Sequence, residues 1–199
     1  MSQPEEYDVV VLGSGAPGKL LAWTLASQGR RAAVVERRYV GGSCPNIACL
    51  PSKNVIHGAK VADYFRRGAE FGVSGGDWKV DMAAVRDRKR RMVDGLVEMH
   101  LAKYRESGAE LVMGSGRFVA PRTIEVALNA GGTRTLRGRT VIVDTGSRHA
   151  GKRILRQVAG RDVSAVALTH VHPDHDGSAT EAYRSPYQQR TQTKADRRP

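Results

Sequence analysis

The sequence holds only two cysteines, Cys44 and Cys49, among 199 residues. That excludes a fold stapled by several disulfides, the usual device of small secreted domains. It also argues against a cysteine zinc site, because neither thiol has partners at ligand spacing and no histidine precedes His57. No apolar run approaches the ~20 residues of a membrane-spanning helix, so no membrane partner is expected. The opening Met1-Ser2-Gln3-Pro4-Glu5-Glu6 is acidic and lacks the basic start and apolar stretch of a secretory leader. A cytoplasmic location is expected, where a disulfide is more often catalytic than structural. Acidic residues are outnumbered, 20 against 32 Lys and Arg, which leaves a net charge of +12. Such an excess suits nucleic acid or acidic ligands. Its densest cluster, Arg86 to Arg91, lies in a helical pattern without interleaved aromatics. It reads as a solvated helix face, and a nucleic-acid partner is not expected.

The two thiols sit five positions apart, with Pro45 directly after the first. Bridged cysteines need Cα atoms about 4.4–6.8 Å apart. A regular helix, rising about 1.5 Å per residue, separates such positions slightly too far. A disturbed first turn would close the gap, and proline favours the start of a helix. A thiolate at a helix N-terminus is stabilised by the dipole. The segment reads as a reactive dithiol/disulfide pair; two buried thiols or a structural staple are the other readings.

Upstream, Tyr7-Asp8-Val9-Val10-Val11-Leu12 is a short apolar run that predicts a buried parallel strand. Gly13-Ser14-Gly15-Ala16-Pro17-Gly18 follows and matches G-x-G-x-x-G. A helical pattern runs to Gly29, and Arg31 to Glu36 predicts a second strand closed by an acid. Gly13, Gly15 and Gly18 permit a tight turn and close approach of a pyrophosphate to the helix N-terminus. Glu36 stands where an acid accepts hydrogen bonds from a ribose hydroxyl. Strand, turn, helix, strand and acid in one unit predict a dinucleotide site, for FAD or NAD alike. Long helices are expected over 52–71 and from the Asp81 cap to about Ser107, ended by Gly108. His57 and His100 read as packing or surface histidines. Within residues 110–144, Leu111–Met113, Arg117–Val119, Thr123–Leu128, Arg134–Leu136 and Thr140–Val143 predict short strands, with Ala130-Gly131-Gly132 as a hairpin turn.

Gly41-Gly42-Ser43-Cys44 and Cys49-Leu50-Pro51-Ser52-Lys53 resemble the redox box of the flavin-dependent pyridine nucleotide-disulfide oxidoreductases. The wording from Asn46 to Asn54 looks nearest the mercuric-reductase-like members, although no paired cysteines follow at the C-terminus. The resemblance implies an α/β fold: a three-layer FAD-type Rossmann domain with a small antiparallel meander. It implies FAD as cofactor and NAD(P)H as co-substrate. Cys44 would meet a small-molecule or thiol/disulfide electron acceptor, and Cys49 would face the flavin. Gly42, Ser43 and Lys53 would lie near the flavin, Gly114 near its adenine side. Thr145 and Gly146 belong to a turn resembling the family's Ala-Thr-Gly-Ser, with Asp144 in the alanine's place. The family is homodimeric, and the domain that forms its dimers has no counterpart here.

After Ser147 the pattern changes. Val166-Ala167-Leu168-Thr169-His170-Val171-His172-Pro173-Asp174-His175 closely resembles the metallo-β-lactamase-fold hydrolases. By that resemblance His170 and His172 would hold one metal, with Asp174 and His175 at a second; zinc or iron suits the set. No histidine follows His175, so the set is expected to be vestigial. The organisation expected is 1–147 as a partial FAD-binding domain, 148–179 as a βαβ-like hydrolase fragment and 180–199 as a disordered basic tail. The leading function is an FAD-dependent disulfide oxidoreductase, truncated and not competent alone. The alternatives are a metal-dependent hydrolase and an inactive fusion fragment.

Overall fold

A computed structural model describes residues 3–144. Thr145, Gly146, His170, His172, Asp174 and His175 lie outside the described residues, as do the expected hydrolase fragment and tail.

Within 3–144 the order is β1 (Glu5–Leu12), α1 (Ala16–Ser27), β2 (Ala32–Glu36), α2 (Ser43–Asn46), α3 (Cys49–Arg66), α4 (Met82–Ser107), β3 (Glu110–Ala120), β4 (Thr123–Leu128) and β5 (Thr133–Val143). A short 3-10 turn, Gly68–Phe71, follows α3. β1 pairs in parallel with β2 on one side and β5 on the other, and β2 pairs in parallel with β3. The far half of β3 and the near half of β5 turn away and pair antiparallel with β4. The five strands thus close into a ring.

This ring is the expected three-layer arrangement. Val9, Val11 and Val34 face one side and pack with Ala22 and Trp23 of α1 and Leu101 and Tyr104 of α4. Val10, Ala33, Val35 and Val112 face the other and pack with Ile124, Val126 and Leu136 of the meander. Alternate side chains of a strand point to opposite faces, so each of these apolar runs supplies two cores.

Two expected pairs of short strands are single long ones. Leu111–Met113 and Arg117–Val119 are parts of β3; Arg134–Leu136 and Thr140–Val143 are parts of β5. Glycines in these stretches look like breaks in the sequence, but here they let the strand bend. A Cβ on Gly116 would stand 2.7 Å from Leu12 Cδ1 and 3.0 Å from Ile124 Cγ2. The strand therefore crosses from sheet to meander with no room for a side chain.

The helix after the redox box begins at Cys49, not at position 52, and α3 has no fully buried residue. Asp81 caps α4 by accepting from Ala83 N at 2.8 Å and Ala84 N at 3.1 Å, and Gly108 ends it at φ 76°. Among the described residues, no helix is long and apolar enough to cross a membrane.

Candidate functional site: the glycine turn and the cysteine box

β1 ends at Leu12, and Gly13 turns the chain with φ 105° while its N–H donates to Val35 O at 2.8 Å. α1 starts at Ala16 with Pro17 in its first turn. Gly18 is required by packing: a Cβ there would lie 2.5 Å from Gly13 O and 3.0 Å from Val11 Cγ1. A Cβ on Gly15 would overlap the Asp144 carboxylate, whose Cγ would be 2.8 Å away. The three glycines therefore leave a cradle at the N-terminus of α1, at the carboxyl end of the parallel strands. That is where doubly wound sheets receive ligands.

Glu36 closes β2 and serves both neighbouring loops. Its Oε2 accepts from Ser14 N at 3.0 Å and Ser14 Oγ at 2.7 Å; its Oε1 accepts from Arg38 N at 2.7 Å and Tyr39 N at 3.0 Å. A carboxylate has about four acceptor positions, so a ribose hydroxyl would have to exchange with one of these donors. Fully buried Ser14 also accepts from Gly41 N at 3.0 Å. The sequence marked Ser14 only as an x in the fingerprint; its smallness between two glycines was the available signal.

The cysteine box rests directly on this turn. Gly42, at φ 88°, packs so that a Cβ on it would stand 2.7 Å from Gly15 Cα. Cys44 is the second residue of α2, and Cys49 is the first of α3. The backbone breaks between them at Ile47 (φ −136°) and Ala48 (φ −117°, ψ −103°). That break is the bend that five-residue spacing demands of a bridged pair. Asn46 Nδ2 fixes the approach by donating to Val40 O at 3.0 Å and Gly42 O at 2.7 Å. Both cysteines are half-buried thiols. Ser43 is half-buried, and Lys53 is exposed one turn into α3. Gly114 follows Met113, the strand partner of Glu36, and a Cβ there would lie 2.5 Å from Ala127 O. Close approach of β4 is thus sufficient reason for that glycine.

Beneath the box lies a pair that sequence reasoning left aside. Lys19, 9% exposed, donates to Gly41 O at 3.2 Å, and its Nζ is 2.8 Å from His100 Nε2. His100, 5% exposed, stacks on Trp23 at 5.9 Å. Burial and the neighbouring Lys19 ammonium push the imidazole down to about 4, so it is neutral at pH 7. Burial lowers Lys19, while the charges of Cys44 and Asp144 act the other way. The two residues are 81 positions apart, so no local pattern joins them. His57, by contrast, is exposed on α3.

A groove lined by Tyr64, Phe65, Phe71 and Trp78 lies elsewhere, at the far end of α3. It contains none of the expected site residues, and chemistry is better assigned to the cradle. Among the described residues, no group of His, Cys, Asp or Glu is arranged to hold a metal.

Comparison with known proteins agrees with this geometry. The dihydrolipoyl dehydrogenase of Mycobacterium leprae is 39% identical over 169 residues, covering 82% of this chain and 34% of its own length. That of Mycobacterium bovis is 36% identical over 166 residues, with the same two coverages. A solved structure of the HOCl-induced flavoprotein disulfide reductase RclA from Escherichia coli, a Cu(II) complex, superposes with a TM-score of 0.59 at 25% identity. It covers 72% of this chain and 29% of that one. The chain is a relative of the pyridine nucleotide-disulfide oxidoreductases. It spans about a third of the length of the curated oxidoreductases it matches. A family model described as the metallo-beta-lactamase superfamily matches residues 135–184. That match begins inside β5, so one strand of the oxidoreductase-like sheet also carries the hydrolase likeness.

Proposed function

We propose that the chain carries the flavin-binding turn and the redox-active disulfide of an FAD-dependent disulfide oxidoreductase. The observation that supports this most is the seating of Gly42 on Gly15, which brings the cysteine box against the dinucleotide turn. The cradle fits a pyrophosphate, because a Cβ at Gly15 would fill it and because an anionic group of the chain itself, the Asp144 carboxylate, already lies there. The chemistry a bound FAD supplies is two-electron transfer between a reduced nicotinamide and a disulfide.

The chain's own residues have separable tasks. Gly13, Gly15 and Gly18 hold the pyrophosphate, and Glu36 keeps the turn in shape and accepts from the ribose by exchanging one of its present donors. Reduction by two electrons breaks the Cys44–Cys49 bond and leaves two thiolates, which take up to two protons. Cys44 is the interchange thiol that attacks the substrate, and Cys49 is the flavin-side thiol. Gly42, Ser43, Lys53, Gly114, Thr145 and Gly146 complete the surroundings of the flavin. NAD(P)H is the electron donor and a small molecule or thiol/disulfide the acceptor, in the cytoplasm. α3 leaves Val55, Ile56 and Phe65 at 39%, 64% and 62% exposure, apolar surface suited to association with further protein.

The match to the metallo-beta-lactamase family model supports a second, weaker reading, with His170, His172, Asp174 and His175 as remnants of a zinc site. Thiol counting tests the leading reading. Mild air oxidation of the folded chain should remove both thiols, and reduction should restore them. Two thiols that react equally fast in the oxidised, folded protein would refute the redox pair.

A further inference from the structure

We propose that Asp144 occupies the anion seat of the glycine turn and competes with the pyrophosphate of a dinucleotide for it. The inference rests on the reading of that turn as a flavin dinucleotide site. Val143 pairs with Leu12, and Asp144 N donates to Leu12 O at 2.9 Å. Asp144 therefore emerges beside the end of β1, where the turn begins. All three fingerprint glycines face its side chain. A Cβ on Gly13 would lie 2.8 Å from Asp144 Cβ, one on Gly15 would be 2.8 Å from its Cγ and overlap Oδ2, and one on Gly18 would be 3.6 Å from Oδ2. Lys19 of α1 and Tyr104 of α4 lie within reach of this carboxylate's charge. Its negative charge is felt by Lys19, which it helps keep protonated, and by Tyr104, whose phenol it helps push up.

A helix N-terminus stabilises one anion placed against it. A carboxylate supplies the same kind of oxygen as a phosphate, without leaving the chain. A second anion in the seat meets the first at contact distance, where like charges repel. A dinucleotide must therefore displace Asp144 or bind against its charge. An uncharged residue of similar size would leave the seat to the ligand. The residue sets how well the turn accepts a pyrophosphate; it is not a contact to the flavin ring.

The experiment uses the full chain and titrates FAD, and separately riboflavin, which has no phosphate, by flavin fluorescence. Wild type, Asp144→Asn and Asp144→Ala are compared, with thermal melts to confirm folding. Asp144→Asn should tighten FAD binding by about tenfold and leave riboflavin unchanged. Asp144→Ala should do the same and stands in if the Asn variant is unstable. Measurable FAD binding that is unaltered in both variants would overturn the inference while sparing the flavin reading. An equal gain for riboflavin would overturn it too, since shape and not charge would be responsible. No FAD binding by wild type or either variant would sink the flavin reading and the inference together.

Discussion

Acidification should weaken the fold through His100 before it reaches the carboxylates. The imidazole has an ordinary value of 6.5 and is held at about 4 in the folded chain by burial and the adjacent Lys19 ammonium. The unfolded chain therefore binds a proton that the folded chain refuses throughout that window. Stability is full above 6.5, falls as the pH drops towards 4, and gains no further loss from this group below that. A difference of 2.5 pH units corresponds to roughly 3 kcal/mol, at about 1.4 kcal/mol per unit. The groups packed around the ring are Lys19, Trp23 and the backbone of Gly41; none of them is an acid that would favour the imidazolium. Urea unfolding at a series of pH values, followed by circular dichroism, measures the slope. His100→Gln keeps an acceptor for Lys19 and does not titrate. It should flatten the curve between pH 6.5 and 4 and leave any steeper loss at lower pH intact. Wild type and variant with the same slope in that window would refute the placement of His100 in a buried, Lys19-bonded setting.

Four further outcomes follow from the same geometry. Arg134 donates to Glu5 at 2.8 and 2.6 Å and to Glu110 at 2.7 Å, tying β1, β3 and β5 together. Arg134→Ala should cost about 2 kcal/mol in urea unfolding, below the value for a fully buried pair because the side chain is 27% exposed. Hydrogen bonds from Arg134 hold Glu5 below its ordinary 4.5; for Glu110 burial works upward, but the hydrogen bonds from Arg134 and Tyr7 win. Stability from both is present above pH 4.5 and is lost as the pH falls through their folded values, a loss that Arg134→Ala should blunt. Gly41→Ala should cost about 3 kcal/mol, because φ 90° is a left-handed conformation and the new Cβ would overlap His100 Nδ1; an unchanged melting temperature would contradict the packing. Zinc in equilibrium dialysis should bind weakly at most, and a stoichiometric submicromolar site lost on His172→Ala would show the hydrolase segment to be intact.

How much of this was legible depended on the distance over which residues act. The β1–turn–α1–β2 unit was readable because the apolar runs, glycines and closing acid lie within one short stretch. The cysteine box was readable for the same reason, including the need for a bend between Cys44 and Cys49, which the structure places at Ile47 and Ala48. Gly116 in β3 misled, because a glycine that lets a strand bend looks locally like one that ends it. Lys19 and His100 were invisible as a pair, since they stand 81 positions apart and only the packing of α1 against α4 brings them together. Asp144 was noticed as a departure, but its place over Gly13 and Gly15 comes from the register of β5 against β1, with Val143 opposite Leu12. No pattern along the chain encodes that register.

The central claim is that the glycine turn and the thiol pair form one flavin site. The rate at which Cys44 and Cys49 are alkylated, read residue by residue by mass spectrometry with and without saturating FAD, tests it most directly. The account predicts that FAD slows alkylation of Cys49 strongly, and that Gly15→Val, which fills the cradle, abolishes the effect. Stoichiometric FAD binding with both alkylation rates unchanged would contradict it.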